Sequence, residues 1–275
     1  MGTHVVIDSN IIQVKELDDF LSARSSNVAV IPIEIWFELY KQRCVDALRR
    51  GLEILGRYPD QVVVLRTTGD IMRLEPSHPN LVERMVLPDA GSLMRQMLIS
   101  LSPEHSGEPE IQAQLKARWD AAALQNEGML EGALDIVVSL PEMQAQMFSA
   151  AEVRIIRKKG RFTPEMFSSI FGAAEQLWEA LSEAMELPQH QDSTFRASSL
   201  QFRIALGIVI YLLWWISKGS QSRRKIEAAR NDVIDLFLAA QACYFDGFLT
   251  QDAKALWIHD NLKGALEAYR KVRFV

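Results

Sequence analysis

Val5-Val6-Ile7-Asp8-Ser9-Asn10-Ile11-Ile12 passes from three β-branched apolar residues to an acid, two small polar residues and apolar residues again. The first three suit a short buried strand. After Asp8, Ile11, Ile12, Leu17, Phe20 and Leu21 recur at helical spacing, so the opening reads strand, turn, helix. The pattern repeats outward. Val28–Ile33 (VAVIPI) suits a strand buried on both faces, and Glu34–Leu55 reads as one or two amphipathic helices ending near Gly56. Gln61–Arg66 (QVVVLR) is a third strand candidate. Short apolar strands alternating with helices predict a parallel α/β sheet.

Between Thr67 and Ser199 the character changes. Strand-like runs are few, Ala, Leu, Met, Gln and Glu dominate, and prolines punctuate the stretch, among them Pro109, Pro141 and Pro164. A mostly helical module is expected, with loops near Ser102–Glu110 and Pro188–Ser193 and no fixed repeat. The α/β pattern then returns. Ile226–Ala242 reads as a helix, Asp246-Gly247 as a turn, Phe248-Leu249-Thr250 as a strand running into Gln251-Asp252, Asn261–Tyr269 as a helix and Val272–Val275 as a last strand. The expected organisation is one domain from residues 1–66 and 200–275, interrupted by a helical insertion over 67–199.

The 275 residues, 48% hydrophobic and 24% charged, are enough for one substantial core or two small ones. The formal net charge of −5 repels polyanions, so any nucleic acid must be held by a local basic patch or by metal ions. Arg223, Arg224 and Lys225 are the candidate phosphate-binding cluster, being near the helix of Asp235 in the chain. Arg154, Arg157, Lys158, Lys159 and Arg161 read as a solvated surface by default. Cys44 and Cys243 lack a disulfide-scaffold density or a C-x-x-C spacing, which suits reduced thiols and a cytoplasmic setting. The start of the chain shows no signal-peptide pattern. Ile204–Ile216, the most apolar run, is short for a bilayer and reads as a buried helix rather than an integral membrane segment.

In a parallel sheet, ligands collect beyond the carboxyl ends of strands, where strand order reverses. Asp8 follows the first strand directly and Asp252 lies just past the strand carrying Thr250. Glu38 falls in the first turns of the helix after the second strand, and Asp235 in the early part of the helix before the final motif. Four converging carboxylates repel one another, with no unlike-charge partner evident in the same segments. A divalent cation resolves that repulsion, and oxygen-only ligation favours Mg²⁺ or Mn²⁺ over zinc. Such an ion activates water for phosphodiester hydrolysis.

These residues resemble the motifs of PIN-domain nucleases. V-V-I-D-S-N-I-I is similar to the family's first motif, and I-P-I-E-I-W-F-E-L to its second, with Glu38-Leu39 as the matching pair. D-L-F-L-A-A-Q-A, from Asp235 to Ala242, resembles the third, and F-L-T-Q-D the closing strand-Thr-x-Asp. The resemblance covers roughly the first 66 and last 75 residues. It implies a three-layer parallel sheet of PIN-like type and a metal-dependent endoribonuclease acting on single-stranded or unpaired RNA. Asp8, Glu38, Asp235 and Asp252 would be catalytic residues and metal ligands, with Asn10 and Thr250 in support. DNA is disfavoured only through this resemblance. The segment between Glu38 and Asp235 is much longer than in compact family members. It offers a surface for a protein partner or a second copy of the chain, as in a toxin or defence effector.

Each acid also has a plainer reading. Asp8 could cap the next helix and Asp235 favour a helix N-terminus, Glu38 could be solvated, and Asp252 could sit in a turn. Asp232, a helical turn before Asp235, reads as a cap with Asn231 and as an additional ligand. Trp214, Trp215 and Phe202 read as core. The five histidines show no ligand spacing. The competing function is a catalytically silent scaffold of the same shape that binds RNA or a protein partner.

Overall fold

β-branched residues at Val5-Val6-Ile7, Val28–Ile31 and Val62–Val64 stiffen the chain in extended form and fill a pleated surface buried on both sides. A computed structural model describes residues 2–187, 192–220 and 226–272. The first part of the chain forms β1 (His4–Ile7), a 3-10 turn (Ser9–Ile11), α1 (Lys15–Ala23), β2 (Val28–Ile31), α2 (Ile33–Tyr40), α3 (Val45–Gly51), α4 (Glu53–Arg57) and β3 (Val62–Val64). Among the described residues, helices then follow without a strand: α5 (Thr68–Met72), α6 (Leu81–Met85), α7 (Ala90–Ser100), α8 (Pro109–Met147), α9 (Ala150–Arg157), α10 (Pro164–Ala184), α11 (Ser193–Ser198), α12 (Leu200–Ser217) and α13 (Ile226–Ala242). The chain closes with β4 (Gly247–Leu249) and α14 (Ala253–Val272). The protein is therefore α/β with a large helical part.

The chain divides into two compact units. One comprises Met1–Ile71, Val82–Gly128 and Tyr244–Ala253; the other comprises Met72–Leu81, Met129–Cys243 and Lys254–Val275. These units do not follow the 67–199 boundaries expected from the sequence: α12, α13 and nearly all of α14 group with the later helices, and α7 and the first half of α8 with the sheet.

In the sheet unit the four strands are all parallel in the order β3-β2-β1-β4. Val6, Ile7, Ala29, Val30 and Ile31 are fully buried, the expectation for inner strands of a parallel sheet. The chain steps from β1 to β2 to β3 in one direction and then returns to the far side of β1, so the order reverses between β1 and β4. β2 is shorter than VAVIPI implied, because Pro32 lacks an amide hydrogen, takes extended angles and precedes α2 as its N-cap. The Glu34–Leu55 stretch is three short helices, α2 to α4, broken at Arg43 (φ 46°) and at Leu52.

The helical unit is built around α12. Sixteen of its eighteen residues are buried, and it packs against α9, α10, α11 and α13. A helix apolar on every face must be enclosed. Among the described residues this is the one helix long and apolar enough to cross a membrane, and 89% of it is buried within the protein. Ser199 caps it, accepting a hydrogen bond from the Phe202 amide at 3.2 Å. Gly207 permits a close approach to α13: a Cβ there would stand 3.3 Å from Leu236 Cγ. Phe202, Trp215 and Trp178 are buried core, whereas Trp214 is half-buried and stacks on Tyr211.

Three further expectations change. Pro141 does not interrupt α8, which continues through it to Met147. Asp232 is not a helix cap, since α13 begins six residues earlier at Ile226. α14 runs through Val272, and the rest of the expected final strand, 273–275, lies outside the described residues.

Candidate functional site

The hydrogen-bond ladder between β1 and β4 continues past both strands. The Asp8 amide donates to the Leu249 carbonyl at 3.0 Å, which extends the Ile7–Leu249 register by one step and sets Asp8 beside Thr250. Thr250 Oγ1 and Asn10 Nδ2 each donate to Asp8 Oδ2 at 2.7 Å. Asn10 Oδ1 accepts from the Gln251 amide at 3.1 Å, and Thr250 Oγ1 accepts from the Asp252 amide at 3.0 Å. The Asp-Ser-Asn turn after β1 and the Thr-Gln-Asp turn after β4 are thus locked together through side chains. Asp8 makes no side-chain capping bond to the 3-10 turn behind it, so its carboxylate is spent on this network rather than on a helix end.

Ser9 brings in the second acid. Its hydroxyl lies 3.0 Å from Glu38 Oε2 and 3.3 Å from Asp8 Oδ1. One hydroxyl carries one proton, so two carboxylates compete for a single donor. Burial raises the Asp8 pKa above the ordinary aspartate range; hydrogen bonds from Thr250 and Ser9 oppose the shift and the nearby Glu38 charge adds to it. A carboxylate in that position gains from either a proton or a cation.

Asp8, Glu38, Asp252, Asn10 and Thr250 all belong to the sheet unit, where the network joins them; Asp235 and Asp232 belong to the helical unit. Asp235 is the tenth of the seventeen residues of α13, mid-helix rather than early. Its Oδ2 is 2.6 Å from Lys254 Nζ. Lys254 also pairs with Asp232 Oδ1, whose Oδ2 accepts from the Tyr211 hydroxyl at 2.5 Å. Asp232 and Asp235 are both buried. The expectation that no unlike-charge partner accompanies the acids is therefore corrected. Lys254 is two residues past Asp252 in the same turn-to-helix segment, and its ammonium stands between two acids spaced three apart on α13.

Arg223, Arg224 and Lys225 lie outside the described residues. Arg154, Arg157, Lys158, Lys159 and Arg161 are exposed, as a solvated face requires. Among the described residues no three His, Cys, Asp or Glu side chains group closely enough to hold a metal ion. Three functional side chains are not expected from the sequence: Ser9 as a bridge, Lys254 as a counter-ion, and Glu34, a buried acid one turn before Glu38 that accepts from the Thr68 hydroxyl. The signal for the first two was a hydroxyl directly after an acid in D-S-N and a lysine two residues after an acid in Q-D-A-K.

No family model, curated protein or solved structure matches the chain in comparisons with known proteins.

Proposed function

We propose that the protein is a metal-dependent endonuclease of PIN-like architecture that hydrolyses phosphodiester bonds of single-stranded or unpaired RNA. The observation that carries this reading is the polar network of Asp8, Asn10, Thr250 and Asp252 at the carboxyl ends of β1 and β4, where the strand order reverses. The donors fit a hard divalent ion. Asp8 and Glu38 supply carboxylate oxygens separated by a single serine hydroxyl, and Mg²⁺ sites commonly use one or two carboxylates with water and substrate phosphate completing the shell. Mg²⁺ or Mn²⁺ held there would lower the pKa of a bound water and offset charge on the leaving oxygen.

The chain's own residues have separable tasks in this scheme. Thr250 and Asn10 fix Asp8 Oδ2, which orients Oδ1 towards Ser9 and Glu38. Thr250 also holds the Asp252 backbone, tying a third acid to the same edge. Asp235, although part of the motif resemblance, is paired with Lys254 in the helical unit and has no task in this scheme. Purified protein should cleave single-stranded RNA with Mn²⁺ and not with EDTA, and Asp8→Asn should remove that cleavage. Cleavage undiminished in the variant rejects the assignment.

A second reading has its own support. Lys254 already neutralises part of the charge on Asp232 and Asp235, as a silent scaffold of the same fold would require. Calorimetric titration with Mn²⁺ separates the two: the scaffold binds no ion that depends on Asp8 and Glu38.

A further inference from the structure

A cavity of about 440 Å³ opens in the sheet unit between α2, α7 and the first half of α8. Its volume falls within the roughly 300–1,000 Å³ typical of small-molecule sites. Trp36 and Phe37 wall it from α2, Met94 and Met97 from α7, and Leu115 from α8. Aromatic rings and flexible thioethers make an adaptable apolar lining.

Tyr40, Gln96, Ser100, Gln114 and Arg118 supply the polar groups of this wall. Arg118 is the only charged lining residue, and among the described residues no carboxylate pairs with it. One of its five N–H donors goes to the Tyr40 hydroxyl, at 3.1 Å. Tyr40 is 7% exposed, and its own proton points to Met97 Sδ at 3.8 Å, a poor acceptor. A phenol and a guanidinium that meet at an apolar cavity, with no anion between them, match a carboxylate head followed by a hydrocarbon body. A cationic occupant would be repelled by the Arg118 guanidinium, and a purely apolar one would gain nothing from it.

We propose that this cavity binds a medium-chain aliphatic carboxylate, with its head on Arg118 and Tyr40 and its chain against Trp36, Phe37, Met94 and Leu115. The proposal is independent of nuclease activity. Occupancy would brace α2, the eight-residue helix that also carries Glu38.

The test is calorimetric titration of the full chain, in EDTA, with decanoate and separately with decanol. Decanoate should bind one-to-one. Arg118→Gln should weaken decanoate at least tenfold and leave decanol unchanged, because Arg118 is exposed and its loss removes the charge at the head and the bond to Tyr40 but none of the apolar wall. Ala121→Trp, at an exposed lining position, should block both ligands by filling the space. Absence of saturable decanoate binding, or equal binding by Arg118→Gln, would overturn the proposal. So would sedimentation showing a dimer that Ala121→Trp converts to monomer, since a second copy would then be the occupant.

Discussion

At Asp8, a carboxylate that water would keep ionised is surrounded by protein, and its protonation equilibrium shifts accordingly. Its folded-state pKa lies above the unfolded value, chiefly through burial. The folded chain therefore binds the extra proton more tightly, and stability falls as pH rises from the ordinary aspartate range through the raised pKa. Without divalent ions, thermal unfolding of the wild type should show that decline, and Asp8→Asn should flatten it. The asparagine can keep the Thr250 and Asn10 bonds on its oxygen while its amide donates to Ser9. A wild-type profile that rises over the same window would contradict the assignment. Ser9 can be tested alone: Ser9→Ala removes the shared hydroxyl and should cost roughly 10–100-fold in Mn²⁺-dependent cleavage, as loss of a group orienting metal ligands does. Asp8, Glu38, Asn10, Thr250 and Asp252 were legible in the sequence because each is placed by a neighbouring strand or turn. Lys254 was not, because a lysine near a turn is usually solvated, and only the packing of α13 against the start of α14 buries it.

Elements differ in how much of their fate is local. β1, β2 and β3 are short, β-branched and bounded by polar turns, so periodicity alone places them to within a residue or two. The helices after β2 are less legible. Arg43 takes a positive φ and splits the amphipathic run, a backbone excursion without a glycine or proline to announce it. In the helical unit, α12 and α13 meet at Gly207. Gly207→Val would push branched atoms into Leu236 and should destabilise by about 1–3 kcal/mol, read by urea denaturation. Lys254→Met should cost about 3–5 kcal/mol, because Asp232 and Asp235 would lose the cation between them. Adding Asp235→Asn to Lys254→Met should recover part of that loss. If the double variant is no more stable than Lys254→Met, the ion-pair account fails.

For the molecule as a whole, a formal charge of −5 sets the terms for any polyanion. Single-stranded RNA should bind weakly in EDTA at physiological salt and more tightly with Mn²⁺, and Asp8→Asn should abolish the gain; fluorescence anisotropy measures all three. Equal affinity with and without the ion would point to a basic surface instead. The same scale governs α12. By composition it could enter a bilayer, but its enclosure by α9, α10, α11 and α13 uses that apolar surface for a core.

The sequence by itself determined the strands and the turn chemistry after β1 and β4, and so which acid follows which strand, because these depend on side-chain period and on residues adjacent in the chain. Tertiary structure alone decided that Ser9 would bridge Asp8 to Glu38, that Lys254 would settle between Asp232 and Asp235, and that Arg118 would reach Tyr40 over an apolar cavity. Those outcomes rest on contacts between residues about 20 to 80 positions apart, whose partners are chosen by packing and by the cost of leaving a buried charge unanswered.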